Sequence, residues 1–315
     1  MPRAAEVGRG GASGGEGVSA SVSIALPVYN GADTLAPAIE SVLRQDHDDL
    51  ELVISDNAST DGTEEVCRHY AAADPRVVYR RHATNVGLLN NFRGAAESSR
   101  GRFVRWLGDD DSLEPDYVSR CLQVFAEDER RVLVTTQIAY TDADGGETAP
   151  VSYDPAALSS SDPVERFAEM LRLMTAGFAL LDPLYAMMRR EVAVMPRRNI
   201  LREDEIFAAR LALAGPWGHV PATLARRSRS ETDVPELVRL LGVPSWHRHA
   251  MDLLQCRELS HWIGRSDLDA AQRRRAHGEV LRLYGRRHRN RARRAVAKLE
   301  RAVGRPLDTS PSRAG

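Results

Sequence analysis

Short apolar segments alternate with amphipathic segments along roughly the first 140 residues of the chain. Residues 22–26, 51–55 and 103–107 are rich in apolar side chains, and polar or turn-forming residues follow each of them. Between these runs, apolar residues recur at the spacing of a helix, as Leu35 and Ile39 do. Short apolar strands separated by helices are typical of a sheet that is covered on both faces. The pattern therefore predicts an α/β fold with a mostly parallel sheet and helices on both faces.

Further elements follow from the same periodicity. Pro115 is expected to open a helix, because proline is well tolerated at the first helical position. The pattern loosens after about residue 140, and from Pro235 onward it is helical. The remaining strands are expected over 77–79, 132–136 and 184–188, and the remaining helices over 88–99, 162–175 and 204–214.

Three regions divide the chain. Residues 1–20 are rich in Gly, Ser and Ala without an apolar signal core, which predicts a disordered leader. Residues 21–235 are expected to form the α/β domain, and residues 236–315 a helical C-terminal extension with a basic tail. No apolar run reaches the roughly 18 residues of a membrane-spanning helix.

Cysteine usage indicates the compartment. Cys67, Cys121 and Cys256 are odd in number and far apart in the sequence, which favours reduced thiols over a disulfide framework. We therefore expect a cytoplasmic protein.

Charge is distributed unevenly. Residues 273–305 contain 13 Lys and Arg against two acidic residues, whereas residues 1–272 contain 29 basic and 41 acidic residues. The basic segment is compatible with a solvated helix. It is equally compatible with contact to anionic lipid at the inner membrane face, with docking on the acidic body, or with a polyanionic acceptor.

An acidic triplet is the most informative chemical feature. Asp109, Asp110 and Asp111 directly follow the apolar run 103–107. Adjacent carboxylates repel one another, so such a cluster is costly unless a cation neutralises it. A hard divalent cation with oxygen ligands, shared with a phosphate, is the usual solution. The triplet therefore predicts a metal–phosphate site at a strand end.

Two further polar clusters share this placement. Residues 27–30 follow the first predicted strand and residues 56–59 the second. Ligands of parallel α/β sheets bind outside the carboxyl ends of the strands. The three clusters are therefore expected to line one crevice.

Taken together, these motifs resemble glycosyltransferase family 2, inverting enzymes with the GT-A fold. The resemblance covers roughly residues 21–230. The motifs that carry it are Leu26-Pro27-Val28-Tyr29-Asn30, Ser55-Asp56-Asn57-Ala58-Ser59-Thr60-Asp61-Gly62-Thr63, Asn85-Val86-Gly87, Gly101-Arg102-Phe103-Val104, Asp109-Asp110-Asp111 with Pro115, and Glu203-Asp204.

The resemblance implies a nucleotide site at the first two strand ends. Pro27, Tyr29 and Asn30 would pack against the base, and the ring of Tyr29 could stack on it. Asp56 would accept the imide N–H of uracil or thymine, and Asn57 would support the loop or reach the ribose. A simple strand-to-helix turn is the alternative for residues 27–30.

It also implies donor contacts further along the chain. Asn85 and Gly87 would lie near the donor, where glycine permits close backbone approach. Arg93 lies near the donor or on a solvated helix face. Many relatives place a His at the position that Arg229 occupies here, and an arginine would grip phosphate without binding metal. This departure weakens the case for strict metal dependence.

For the acidic triplet, the resemblance implies Mn²⁺ or Mg²⁺ bridging the donor phosphates. Asp111 would bind the metal, Asp109 would assist, and Asp110 would face the ribose or the sugar. The metal would neutralise charge on the departing diphosphate.

The expected general base is Asp204, with Glu203 as the second candidate. The alternative is that both acids only stabilise the N-terminus of a helix, where negative charge is favoured.

The expected partners are a nucleotide-sugar donor, UDP- or dTDP-linked, and a small-molecule or glycan acceptor, with no nucleic acid. Two alternatives remain: a sugar-1-phosphate nucleotidyltransferase, and a non-catalytic binding protein that uses the basic tail. The sequence leaves the oligomeric state open.

Overall fold

One mixed sheet runs through the chain. The structure is a computed structural model that describes residues 21–141, 146–148, 156–176, 183–228 and 233–303. Within these ranges the strands are β1 (Val22–Val28), β2 (Leu50–Asp56), β3 (Val77–Arg81), β4 (Phe103–Trp106), β5 (Ser112–Leu113), β6 (Leu133–Thr141), β7 (Glu147–Thr148), β8 (Met187–Arg189) and β9 (Trp217–Ser228).

The helices lie between and after these strands. They are α1 (Leu35–Leu43), α2 (Thr63–Ala73), α3 (Leu88–Ser98), α4 (Tyr117–Glu127), α5 (Pro163–Ala176), α6 (Arg190–Ala193), α7 (Glu203–Ala214), α8 (Val234–Leu240), α9 (Met251–Arg265) and α10 (Ala270–Val303). Single turns of 3₁₀-helix cover Pro183–Tyr185 and Ser245–His249.

The sheet has a parallel part and a mixed part. Its order is β3-β2-β1-β4-β8-β6-β9-β5, with β7 paired to β6. Strands β3, β2, β1 and β4 are parallel to one another, and β8 runs antiparallel to both β4 and β6. Strand β9 is parallel to β6, and β5 is antiparallel to β9. The carboxyl ends of β1, β2 and β4 therefore meet at one edge, as predicted.

Helices cover both faces of the sheet, which confirms the predicted fold class. Successive residues of a strand point to opposite faces. On β1, Ile24 and Leu26 pack with α1, α2 and α4, whereas Ala25 joins the cluster that contains α3, α5 and α7. All residues of β1 and β2 are buried, because each face of these two strands is covered by its own core.

Several boundaries differ from the predictions. Strand β1 continues through Pro27, whose register partner is Ser55, rather than ending before it. Helix α4 begins at Tyr117, so the expectation that Pro115 opens it was wrong by two residues. The strand expected over 184–188 is split into a 3₁₀ turn and β8.

The C-terminal extension packs on the rest of the chain. Ala276, Val280 and Leu283 of α10 are buried in the core that α5 and α7 also share. Arg275 forms an ion pair with Asp162 at 2.7 Å. Of the alternatives for the basic segment, docking on the acidic body describes this first half of α10, and a fully solvated helix was the wrong interpretation of it. In the described residues, no helix is both long and apolar enough to cross a membrane.

Candidate active site

The loops that follow β1 and β2 are joined by hydrogen bonds. Asn30 has a left-handed backbone (φ 55°), a conformation that Asn tolerates better than most residues. Its backbone N–H donates to the Ser59 hydroxyl at 2.9 Å, and its side-chain oxygen accepts from the Thr60 N–H at 2.8 Å. This fixed loop leaves the neighbouring Tyr29 50% exposed, with its ring available to a planar ligand.

Asp56 lies at the end of β2 and is fully buried. One carboxylate oxygen accepts from the Ser59 backbone N–H at 2.8 Å. The other accepts from the Tyr79 hydroxyl at 2.8 Å and lies 3.3 Å from Arg81 Nε. Burial, and then the bond to Asp56, raise the pKa of Tyr79, so its phenol stays a donor. A base that reads Asp56 must therefore displace or share one of these donors.

Asn57 and Asn85 connect the β2 end to the loop before α3. The Asn57 side-chain amide donates to Asn85 Oδ1 at 3.0 Å, and its carbonyl accepts from the Val86 N–H at 2.8 Å. Asn85 Oδ1 also accepts from the N–H of Gly87, whose φ of 87° favours glycine. The two asparagines thus hold a glycine loop beside the crevice.

Asp109 packs against the β1 loop. Thr34 Oγ1 donates to Asp109 Oδ2 at 3.2 Å. A Cβ at Gly31 would lie 2.3 Å from the same oxygen, so the close approach needs glycine there. Burial, reinforced by the charges of Asp110 and Asp111, raises the pKa of Asp109.

Asp111 is the buried member of the triplet and is only 3% exposed. Its Oδ2 accepts from Arg227 Nε of β9 at 2.9 Å and from the Gly108 N–H at 3.3 Å. Its Oδ1 is buried, and no residue that the structure describes donates a hydrogen bond to it. Asp110 is exposed and bonds to the side chain of Ser228.

These residues suit a cation that is shared with a ligand. The orphaned Asp111 Oδ1 is an unused oxygen ligand, with Asp109 in the same turn. Among the described residues, no group of three or more His, Cys, Asp or Glu side chains converges on one point. A divalent cation here would therefore complete its shell with phosphate oxygens and water.

Glu203 and Asp204 open α7 but have different environments. Glu203 is buried, and Arg197 Nε donates to both of its carboxylate oxygens at 2.8 Å. The Arg197 guanidinium also lies 4.7 Å from the centre of the Phe207 ring. Both oxygens of the Glu203 carboxylate are therefore engaged by Arg197. The preceding Arg202 has a left-handed backbone (φ 64°), which is rare for a long side chain and concentrates at functional sites.

Asp204 is exposed to solvent, although protein atoms surround it densely on the other sides. This partial loss of hydration raises the pKa of Asp204, and the helix N–H groups and the charge of Arg197 oppose the shift. In the ranges that the structure describes, no side chain donates a hydrogen bond to Asp204. The carboxylate is free to accept a proton from a ligand.

Tyr185 links the acidic triplet to Asp204. On one side, the Arg227 guanidinium lies 3.5 Å from the centre of the Tyr185 ring. On the other side, Tyr185 lines a cavity of about 360 Å³ that also contains Asp204. The charges of Asp111 and Asp110 both reach Tyr185, where burial and then these charges raise its pKa. Tyr185 therefore lies between the metal–phosphate candidate and the cavity of the base candidate.

Comparison with known proteins identifies the family. The model of glycosyl transferase family 2 matches residues 23–193. The chain belongs to glycosyl transferase family 2. The family 2 match contains the three strand ends of the crevice and Tyr185.

Relatives of known name support this family 2 assignment. Chondroitin synthase of Escherichia coli is 36% identical over 124 residues, which is 39% of this chain and 18% of that protein. The chain thus spans less than a fifth of that relative. Staphylococcal TarS residues 1–349 with bound UDP superimposes with a TM-score of 0.57 at 16% identity, over 82% of this chain and 70% of TarS.

A second structural neighbour is the mannosyltransferase PcManGT from Pyrobaculum calidifontis, solved with GDP-Man and Mn²⁺. Its TM-score is 0.51 at 17% identity, over 84% of this chain and 69% of that chain. At these identities the likeness shows the GT-A fold alone.

Three functional candidates in this family 2 chain were not predicted. Arg227 and Tyr185 join the two halves of the crevice, and Arg81 contacts the candidate base-reading Asp56. Arg229, the predicted phosphate-binding arginine, lies outside the described residues. Arg93 is 3.4 Å from Glu97 on the surface of α3, which is the solvated-helix alternative.

Proposed function

We propose that this chain is an inverting glycosyltransferase that moves a sugar from a UDP- or dTDP-linked donor to an acceptor hydroxyl or amine. The observation that carries the proposal is the position of Tyr185, which contacts the Arg227 partner of the buried Asp111 on one side and lines the cavity of Asp204 on the other. A leaving-group site beside a proton acceptor is what glycosyl transfer requires.

The nucleotide would bind at the ends of β1 and β2. The half-exposed ring of Tyr29, held by Pro27 and Asn30, offers a stacking surface for the base. Asp56 would read the imide N–H, in exchange for the bond it now accepts from Tyr79. Among Pro27, Tyr29, Asn30 and Asp56, only Asp56 carries a carboxylate. A carboxylate accepts a hydrogen bond from an N–H of the base but cannot donate one to a carbonyl.

The loop of Asn57, Asn85 and Gly87 would border the ribose on the same side. Their mutual hydrogen bonds keep the loop in one conformation before a ligand arrives. Such pre-organisation lowers the entropy cost of binding.

The diphosphate would lie at the acidic triplet. Asp111, through its unpartnered oxygen, and Asp109 would hold Mn²⁺ or Mg²⁺, while Asp110 would face the ribose or the sugar. The cation would supply charge stabilisation to the departing diphosphate. Arg227 adds a permanent positive charge next to Asp111, whether or not a metal is bound.

Asp204 would act as the general base. It would take the proton of the acceptor hydroxyl as the oxygen attacks the anomeric carbon, while the bond from that carbon to the phosphate oxygen breaks. The nucleoside diphosphate would leave from the opposite face, so the anomeric configuration inverts. Glu203 would position Asp204 by anchoring the first turn of α7 to Arg197.

The test is Asp204→Asn, which keeps the shape and removes the basicity. We expect UDP affinity to be retained and turnover to fall by about 10²–10⁴-fold, as for loss of a general base. Asp267→Asn is the control, since Asp267 is exposed in the loop between α9 and α10. UDP release from UDP-sugars with Mn²⁺ measures turnover, and calorimetry measures affinity. Near-full turnover in Asp204→Asn would refute the base assignment.

A further inference from the structure

We infer that the acceptor is an apolar ring compound with one reactive hydroxyl or amine, bound in the cavity that contains Asp204. This inference rests on the proposed function and names the substrate class of the same site. The glycan acceptor that the sequence also allowed is disfavoured by the cavity described next.

The wall of the cavity is mostly apolar. Helix α3, the 3₁₀ turn Pro183–Tyr185 and α8 each contribute to it, and the volume is about 360 Å³. This volume lies within the ~300–1,000 Å³ of small-molecule pockets. The apolar and aromatic lining residues are Leu88, Leu89, Phe92, Leu184, Tyr185, Ile200, Leu237 and Leu241.

The charged residues of the cavity are mostly occupied by one another. Arg197 is bound to Glu203. Arg202 donates to Asp252 of α9 at 2.8 Å. Asp204 has no side-chain donor in the described part of the chain. Among the described residues, the polar groups left for a ligand are therefore few: the Asp204 carboxylate, the Tyr185 phenol and Arg197 Nη1, which is buried without a hydrogen-bond partner.

The small number of polar groups available to a ligand favours one class of acceptor over the other. A sugar would bring several hydroxyls into the cavity, and each hydroxyl buried without a partner costs about 1–3 kcal/mol. An apolar ring instead gains about 25 cal/mol for each Å² of apolar surface that it buries. A single hydroxyl on such a ring can be satisfied by Asp204, which is also the group that would deprotonate it.

The experiment uses 2-naphthol as the apolar probe and methyl glucoside as the sugar probe, each titrated calorimetrically into the full chain with UDP and Mn²⁺ present. We expect 2-naphthol to bind at least about tenfold more tightly than methyl glucoside. Leu237→Trp fills the cavity from α8 and should weaken naphthol binding by about tenfold or more. Leu240→Trp is the matched control, because Leu240 is 48% exposed on the same helix and does not line the cavity.

A second filling variant, Leu88→Trp, guards against misfolding of the first, since Leu88 is 40% exposed at the start of α3. The inference would be overturned if naphthol binding survived in both filling variants, or if methyl glucoside bound more tightly than naphthol. In either case, retained UDP binding would leave the proposed function intact. Absence of UDP binding and of UDP release would instead overturn the proposed function itself.

Discussion

The ion pair between Arg227 and Asp111 is expected to hold the crevice together before a donor binds. The Asp111 side chain is 1% exposed and that of Arg227 15% exposed, so Arg227→Gln would leave a buried carboxylate without its charge partner. Breaking a buried pair in this way typically costs about 3–5 kcal/mol, and loss of the contact with Tyr185 adds to it. The residual exposure of Arg227 places the expected loss of unfolding free energy near 3 kcal/mol.

The adjacent Arg226 provides a matched control. Arg226 pairs with Glu114, but its side chain is 45% exposed, so Arg226→Gln should cost no more than about 1 kcal/mol. Urea unfolding with and without UDP and Mn²⁺ measures both variants. We expect the ligands to restore more stability to Arg227→Gln than to Arg226→Gln, because a bound cation replaces the missing charge beside Asp111. Equal losses in the two variants, or equal recovery, would show that Arg227 is not the charge partner that Asp111 needs.

Three further predictions concern the candidate site and the ion pairs of α9. Gly31→Ala would push a Cβ to 2.3 Å from Asp109 Oδ2 and 2.7 Å from Val28 Cγ2, so we expect a stability loss of about 1–3 kcal/mol and weaker Mn²⁺–UDP binding by calorimetry. Gly62→Ala, whose nearest neighbour would be 3.6 Å away, should behave like the parent, and an equal loss there would contradict the steric argument. Asp252→Asn removes a buried carboxylate from its ion pairs with the partly buried Arg202 and the exposed Arg291, so urea unfolding should show a loss of about 3 kcal/mol, and an unchanged midpoint would be contrary evidence. Because burial raises the pKa of Asp204 and the base must be ionised, kcat/KM should fall as the pH drops through a value above the ordinary Asp range, whereas an acid limb at or below that range would argue against Asp204.

The parallel part of the sheet could be predicted because β1, β2 and β4 are short, mostly apolar and buried on both faces. Strand β9 could not, although it is 12 residues long, because its burial alternates irregularly and Pro221 interrupts it. A bulge in its pairing with β6, between Thr136 and Ile138, accounts for the broken alternation. Missing β9 also meant missing the position of Arg227.

The candidate site, like the sheet, could be predicted only in part from the sequence. The three strand ends meet because parallel topology alone brings them together. Partners that are distant in sequence, such as Arg227 for Asp111 across 116 positions, depend on the antiparallel pairing of β9 with β5 and leave no local pattern. Glu203 and Asp204 are equivalent acids in the sequence, and only the location of Arg197 distinguishes them.

A crystal structure with UDP and Mn²⁺ would show whether the acidic triplet holds the diphosphate of the donor. We expect density for a diphosphate beside Asp111 and Asp109, with the base near Tyr29 and the carboxylate of Asp204 facing the phosphate end across Tyr185. A nucleotide bound elsewhere on the chain, with the acidic triplet contacting neither phosphate nor cation, would contradict this expectation.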